Sequence, residues 1–269
     1  MLKSKGLEMF DPLFSLEGKR VLVTGGAGTL GALISKAFAE RGADVTIQDL
    51  NQERLDEVRK SITTESGKAF SITADLSDPA ECARVVSDAN HLMGGLDIVI
   101  NTAGINRRKP ISEVTEEDFD AIVSVNMKAI YFISQAAHRI MKAAGGGVIV
   151  NMSSLSARYS FNSISVYAAT KAAVSSITRS TAREWAKDKI RVNCIEPSVI
   201  KTDFTKPLWG EPHRTRWFDE TTPIGRLSNP DEIIGSVIFL ATDASSYITG
   251  QSIVIDGGIL SGGDWDSYA

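Results

Sequence analysis

Arg20-Val21-Leu22-Val23-Thr24 runs directly into Gly25-Gly26-Ala27-Gly28-Thr29-Leu30-Gly31, and this junction decides the fold. Residues 19–24 form a short apolar run, the pattern of a strand buried on both faces of a parallel sheet. Leu30, Leu33, Ile34, Ala37 and Phe38 follow at helical spacing up to Arg41, where Gly42 stops the helix. Glycines between a strand and a helix let the backbone turn tightly and approach a phosphate, whose charge the helix N-terminus stabilises. Such a turn alone is also compatible with a plain connection. Its place straight after a strand points to a dinucleotide.

The same alternation continues outward. Strands are predicted at 43–48, 69–74, 96–101, 147–152, 190–195 and 252–255. Helices are predicted at 51–65, from Asp78-Pro79, over 116–144 and 165–187, and at 230–241. Asp78 is an N-cap residue type, and Pro79 suits the first helical position. Seven strands with intervening helices predict one doubly wound α/β domain over residues 1–269, of Rossmann type, with helices on both faces of a parallel sheet. Ligands bind such sheets at the carboxyl ends of the strands. Residues 1–15 are expected to be a leader. Residues 201–227 contain Pro207, Pro212 and Pro223 and break the rhythm as one long loop, expected to be a substrate lid carrying Trp209, His213, Arg214, Arg216 and Trp217.

Composition narrows the function. The chain has 269 residues, 43% hydrophobic and 23% charged, an ordinary globular balance. Lys and Arg total 29 against 33 Asp and Glu, a net charge of −4, which argues against a nucleic-acid partner. Cys82 and Cys194, with His91, His138 and His213, are scattered, so no metal site is expected. No apolar run is long enough to span a membrane and the N-terminus lacks a signal-peptide pattern; a cytoplasmic location is expected.

Two further signals carry chemistry. Asp49 ends the second strand, where a carboxylate can accept hydrogen bonds from the adenosine ribose and repel a 2′-phosphate. No Arg or Lys occupies the glycine-rich turn or position 50, so NAD is expected over NADP. In Tyr167-Ala168-Ala169-Thr170-Lys171, Tyr and Lys share one helix face. A nearby ammonium favours the phenolate, which can take a proton from an alcohol or, as phenol, return one to an alkoxide. Ser154 follows the fifth strand and so reaches the same end of the sheet.

These residues resemble the short-chain dehydrogenase/reductase family from about Leu16 to Gly258. The matching elements are the turn at 24–31, Asp75 in Ala74-Asp75-Leu76, Asn101-Thr102-Ala103-Gly104, Asn126, Ser154, Tyr167, Lys171 and residues 197–202. The resemblance implies a nicotinamide cofactor and a homotetramer. It implies that Ser154 orients the reacting oxygen and that Tyr167 is the acid and base. Lys171 would hold the nicotinamide ribose and lower the Tyr167 pKa, and Asn126 would support a proton-relaying water. It places the cofactor against Gly25, Gly28, Thr29, Leu30, Gly31, Asp49, Leu50, Asp75, Leu76, Asn101, Ala103, Gly104, Tyr167, Lys171, Pro197, Ile200 and Thr202. Three positions depart from the family: Gly28 and Thr29 look exchanged, Thr102 stands for Asn, and Ser198 stands for Gly.

The fourth strand leads into Gly104-Ile105-Asn106-Arg107-Arg108-Lys109-Pro110, and Arg158 follows Ser154 closely. Arg107, Arg108 and Arg158 are candidates for a substrate carboxylate. The Arg-Arg stretch resembles the branch of the family acting on gluconate, 2-deoxygluconate and ketodeoxyuronates, which implies a sugar-acid dehydrogenase. The alternatives are a 3-oxoacyl-carrier-protein reductase or broad carbonyl reductase, and a non-catalytic nucleotide-binding regulator. The small residues of the Tyr167 helix, Ala168, Ala169, Ala172, Ala173, Ser175 and Ser176, suit either close packing on the chain's own sheet or a subunit interface. The last strand and the Asp264-Trp265 tail are further interface candidates.

Overall fold

The computed structural model describes residues 11–62 and 68–263. Its centre is a seven-stranded, wholly parallel sheet in the order β3-β2-β1-β4-β5-β6-β7. The strands are β1 Arg20–Thr24, β2 Asp44–Asp49, β3 Ala69–Thr73, β4 Ile98–Asn101, β5 Gly147–Met152, β6 Ile190–Pro197 and β7 Ser252–Ile255. The chain leaves β3 at one edge and returns beside β1 as β4. The reversal of strand order between β1 and β4 opens a crevice at their carboxyl ends.

The helices are α1 Thr29–Ala39, α2 Gln52–Ile62, α3 Pro79–Met93, α4 Glu116–Val123, α5 Ala129–Ala144, α6 Ser165–Trp185, α7 Lys206–Trp209, α8 Pro212–Thr221 and α9 Asp231–Ala241. One apolar layer packs Ile34, Phe38, Leu55 and Val237 against Val21, Val23, Val45 and Ile47. The opposite layer packs Val85, Val86, Ile133 and Met141 against Leu22, Val99 and Ile149. Asp78 caps α3, its carboxylate accepting from Ala80 N at 2.8 Å, and Gly94 closes that helix with φ +69°. Among the described residues no helix is long and apolar enough to cross a membrane.

Four expectations are corrected. The helix expected over 116–144 is two α-helices joined by a π-turn at Ser124–Lys128, where Ala129 N reaches back to Ser124 O. The segment 201–227 is not a structureless loop, because α7 and α8 form within it, each with a proline in its first two positions that supplies a helix-ready φ. β6 runs on to Pro197, since its end pairs with β7 at Glu196 and Pro197. Leu16 is fully buried and Pro12–Phe14 form a 3₁₀ turn capped by Asp11. Residues 11–15 of the expected leader are thus part of the fold, and its residues 1–10 lie outside the described residues. So do the end of the helix expected over 51–65, beyond Ile62, and the Asp264-Trp265 tail.

Candidate active site

A cleft of about 360 Å³ lies at the carboxyl ends of β1, β2, β4, β5 and β6. Of the residues expected to hold the cofactor, all but Asn101 line it, and Ser154 lines it with Tyr167 and Lys171. The Asn101 side chain is buried beneath the strand ends, donating from Nδ2 to Asn151 Oδ1 at 2.9 Å.

The glycine turn is built for close approach. Gly25 has φ +65°, and a Cβ there would come within 2.8 Å of the Ala103 backbone. A Cβ on Gly31 would strike the Gly25 carbonyl oxygen. Gly28, in contrast, has extended backbone as the N-cap of α1, and Thr29 is the first helical residue. A Cβ on Gly28 would meet nothing nearer than 3.3 Å. The apparent exchange of Gly28 and Thr29 therefore costs the turn little, and the glycines that sterics demand, Gly25, Gly26 and Gly31, are present. Thr102 Oγ1 donates to Thr24 O at 2.5 Å, fastening β4 to β1. Ser198 N donates to Ile255 O at 3.0 Å, so its backbone is fixed by β7.

Asp49 Oδ2 accepts from Ala27 N at 3.2 Å and Oδ1 from Leu50 N at 2.8 Å. The carboxylate thus ties the end of β2 to the glycine turn while lining the cleft. Gln48 and Arg54 also line it and were not expected from the sequence. Gln48 is buried and bridges Gly25 N and Ala74 O. Arg54 comes from the first turn of α2, a reach that a search of positions 24–31 and 50 could not find. The glycine cradle, the helix N-terminus and the carboxylate at the end of β2 fit a nicotinamide dinucleotide.

Tyr167 and Lys171 sit one turn apart on α6, with Lys171 Nζ 5.5 Å from the Tyr167 ring centre. Lys171 Nζ donates to Met152 O at 2.8 Å. Burial pushes the Lys171 ammonium down to about 8. Burial pushes the Tyr167 phenol above its ordinary value, against a Ser154 hydrogen bond and the Arg108 charge, which both favour the phenolate. Arg108 is thus a second cation near Tyr167, beside the Lys171 that the sequence pointed to. Asn126 lies in the π-turn, fully buried. Its side chain exchanges two hydrogen bonds with the Ile105 backbone, at 2.8 and 2.9 Å. Asn126 therefore pins the loop after β4, and its Nδ2 also lies 3.4 Å from Thr170 Oγ1 on α6. π-turns of this kind recur at functional sites.

The three candidate arginines part company. Arg107 Nη1 lies 3.2 Å from Asp118 and 3.4 Å from Glu117, and Lys109 Nζ 2.6 Å from the other Asp118 oxygen. Asp118 is the buried partner of Thr115 in the capping box of α4, so Arg107 and Lys109 neutralise a cap. Arg158 Nε pairs with buried Glu196. Arg108 alone of the three has no carboxylate partner among the described residues. Its guanidinium lies 5.6 Å from the Phe204 ring centre, and one Nη donates to Phe204 O at 3.3 Å. Its Nε is buried with no hydrogen-bond partner, as is Asn106 Oδ1 on the same loop. The Phe204 ring in turn lies 6.2 Å from that of Tyr167, which places Arg108 beside the reacting end of the cleft. The sequence named the right loop but could not tell which of its cations is spent elsewhere.

Beyond this, Trp217 and Phe218 of α8 meet Phe161, with ring centres 6.0 and 6.2 Å away, and Phe161 meets Tyr159 at 5.1 Å. The segment after Ser154 and α8 are thus joined by aromatic contact. Trp209 Nε1 donates to Thr202 O at 3.2 Å. His213 is exposed on α8 and does not line the cleft. No group of metal-ligating side chains occurs among the described residues.

The family model described as enoyl-(acyl carrier protein) reductase matches residues 25–260. Gluconate 5-dehydrogenase of Gluconobacter oxydans (strain 621H) is 36% identical over 92% of this chain and 96% of its own. The 5-keto-D-gluconate 5-reductase of Escherichia coli (strain K12) is 34% identical over 93% of this chain and 98% of its own. A crystal structure of a gluconate 5-dehydrogenase from Burkholderia cenocepacia J2315 in complex with NADP and tartrate superposes with a TM-score of 0.90 at 32% identity. It covers 94% of this chain and 99% of that one. The chain belongs to the short-chain dehydrogenase/reductase family, and it is a nicotinamide-dependent oxidoreductase of alcohols and ketones.

Proposed function

We propose that this oxidoreductase interconverts a hydroxyl and a ketone on a sugar acid of the gluconate class. The observation that carries this reading is Arg108, a half-buried guanidinium beside Tyr167 with an unpartnered Nε and no carboxylate of its own. A buried, uncompensated cation is costly unless a ligand supplies the counter-charge. A substrate carboxylate does so, and the names of the relatives support that class. Asn106 Oδ1 on the same loop is an acceptor suited to a sugar hydroxyl. Arg107 and Arg158, which have their own carboxylates, are not part of the proposed substrate contact.

When bound, the nicotinamide supplies or takes the hydride. Ser154 orients the substrate oxygen. Tyr167 removes the hydroxyl proton in oxidation and returns it in reduction, where a phenol held protonated by burial is suited to act as acid. Lys171 holds the ribose end of the cofactor, and the Asn126 backbone supports the water that exchanges protons with bulk. The residues of the glycine turn, 49–50, 75–76 and 103–104, with Pro197, Ile200 and Thr202, hold the dinucleotide, while Asn101 supports the strand ends beneath it. Asp49 supports a preference for NAD, while the NADP held by the Burkholderia relative speaks for the phosphorylated cofactor. Segment 201–227 acts as a lid, hinged around α7 and α8 and closing over the substrate to exclude water. The fold works as a single cytoplasmic domain in a homotetramer, with the exposed small residues Ala169, Ala172 and Ser176 of α6 on an isologous contact.

The test is substrate discrimination. A charge-assisted arginine–carboxylate contact is worth about 1.5–3 kcal/mol, or roughly ten- to a hundredfold in affinity. Arg108→Ala should raise KM for a gluconate-type acid by that factor and leave a neutral polyol little changed. Equal losses on both would overturn the carboxylate reading. Turnover of neutral ketones alone would favour a broad carbonyl reductase.

A further inference from the structure

Glu196 stands at the end of β6 with 1% of its surface exposed. A carboxylate at such a depth is expensive unless every lone pair is engaged. One of its oxygens accepts from Ser175 Oγ on α6 at 2.7 Å, and the other takes Arg158 Nε. Ser175 Oγ lies 2.9 Å from Ser153 Oγ, which is itself 2.8 Å from Lys171 O.

The protons in this chain are ordered by chemistry. An ionised carboxylate only accepts, so the single Ser175 proton is committed to Glu196. Ser175 can then only accept, and the one Ser153 proton is shared between two acceptors within reach, Ser175 Oγ and the Lys171 carbonyl. Ser153 precedes Ser154 in the chain, and its amide donates to Ile195 O at 2.9 Å, next to Glu196. On the other side, Arg158 closes the 3₁₀ turn that Ser154 caps. Both ends of the Ser154 segment are therefore fastened to one buried carboxylate, and the same carboxylate holds α6 one turn beyond Lys171.

We propose that Glu196 is a positioning residue that sets the Ser154 hydroxyl against Tyr167 and Lys171. It does not itself line the cleft, and it acts through Ser175, Ser153 and Arg158. This rests on the reading that Ser154, Tyr167 and Lys171 are the reacting groups. Since misplacement of a reacting group by about 1 Å can cost around a hundredfold, loosening this clamp lowers kcat and spares cofactor affinity.

The experiment compares Glu196→Ala, Glu196→Gln, Arg158→Leu and the double variant Arg158→Leu/Glu196→Gln. For each, kcat, substrate KM, thermal midpoint and the NAD or NADP dissociation constant by fluorescence quenching are measured. Glu196→Ala should lose about ten- to a hundredfold in kcat, with cofactor affinity held within about twofold. Glu196→Gln keeps an acceptor for Ser175 and should lose less. Arg158→Leu strands a buried carboxylate, and adding Glu196→Gln should restore part of its kcat. Should the alanine variant not fold, the glutamine and double variants give the same reading. Wild-type kcat in Glu196→Gln and Glu196→Ala would overturn the proposal. So would parallel falls in kcat, cofactor affinity and thermal midpoint with no rescue in the double variant. Full turnover in Tyr167→Phe would instead overturn the catalytic assignment on which the proposal rests.

Discussion

The cleft has two unlike walls. Around the glycine turn and the ends of β1, β2 and β4, the wall is mostly backbone, held by Gln48, Asp49 and Thr102 through short hydrogen-bonded links. Around Ile105 and residues 202–205 the wall is side chains, flanked in the chain by Arg107, Arg108 and Lys109 of the loop after β4, with Arg158 following Ser154. On the first wall a residue's place follows from the strand and turn that carry it. On the second, each charge has several partners within reach, and the fold as a whole selects one. Arg107 is taken by the cap of α4 and Arg158 by the end of β6, and only Arg108 stays without a carboxylate.

The largest expected effect lies where the two walls meet. Tyr167→Phe removes the proposed acid and base but no carbon of the ring. Positioned acid–base groups contribute about a hundred- to ten-thousandfold, and kcat should fall by a factor in that range. Cofactor affinity, set by the backbone wall, should be unchanged in a direct titration. A parallel loss of cofactor affinity would show that the walls are not independent.

That independence explains what was legible in the sequence. The seven strands and their cleft followed from apolar runs and glycines, because those signals are local and have one structural outcome. Tyr167, Lys171 and Ser154 were visible because the spacing along α6 and the end of β5 bring them together. The π-turn at Asn126 was not visible, since nothing in a continuous helical pattern from 116 to 144 marks an added residue in a turn. Glu196 was missed for another reason. A lone acid in an apolar strand gives no sign of its partners, and Arg158 and Ser175 reach it only once α6 and the Ser154 segment have packed.

A smaller effect tests the Asp49 carboxylate of the backbone wall. Asp49→Ser removes a carboxylate that would accept from ribose hydroxyls and repel a 2′-phosphate. The ratio of kcat/KM for NAD over that for NADP should fall by about tenfold, the size of one charge-assisted hydrogen bond. Asp49 also accepts from Ala27 N, so affinity for both cofactors should weaken somewhat together. An unchanged ratio would assign cofactor choice to another residue lining the cleft.

Smaller again is an effect on stability with a definite pH window. Burial holds the Lys171 ammonium at about 8 in the folded chain, below the roughly 10.4 of an exposed lysine. Between these values the unfolded chain binds more protons than the folded one, so stability rises with pH across that range. Below pH 8 both states are protonated and the penalty is complete. Lys171→Met lacks this titration. The wild type should therefore gain thermal stability relative to Lys171→Met as pH rises from about 8 towards 10, and the difference should be flat below pH 7. A flat difference throughout would mean that Lys171 keeps an ordinary pKa in its buried setting.

The smallest expected effect completes the contrast between neighbouring arginines. Arg107 and Arg108 are adjacent and chemically identical, so a wall that merely gathered positive charge would lose equally from either. Arg107 is instead about 41% exposed and shared between Glu117 and Asp118. Its partner Asp118 keeps Lys109 at 2.6 Å and the Thr115 hydrogen bonds after Arg107 is removed. Exposed ion pairs contribute about 0–1 kcal/mol, and here the carboxylate is not left stranded. Arg107→Ala should thus lower the thermal midpoint by no more than a few degrees, since about 1 kcal/mol corresponds to roughly 2–4 °C in a chain of this size. KM for a sugar acid should stay near the wild-type value, against the ten- to hundredfold rise expected for Arg108→Ala. An equal rise in KM for both variants would mean that the loop after β4 binds through its summed charge, and the distinction between a spent cation and an unpartnered one would lose its force.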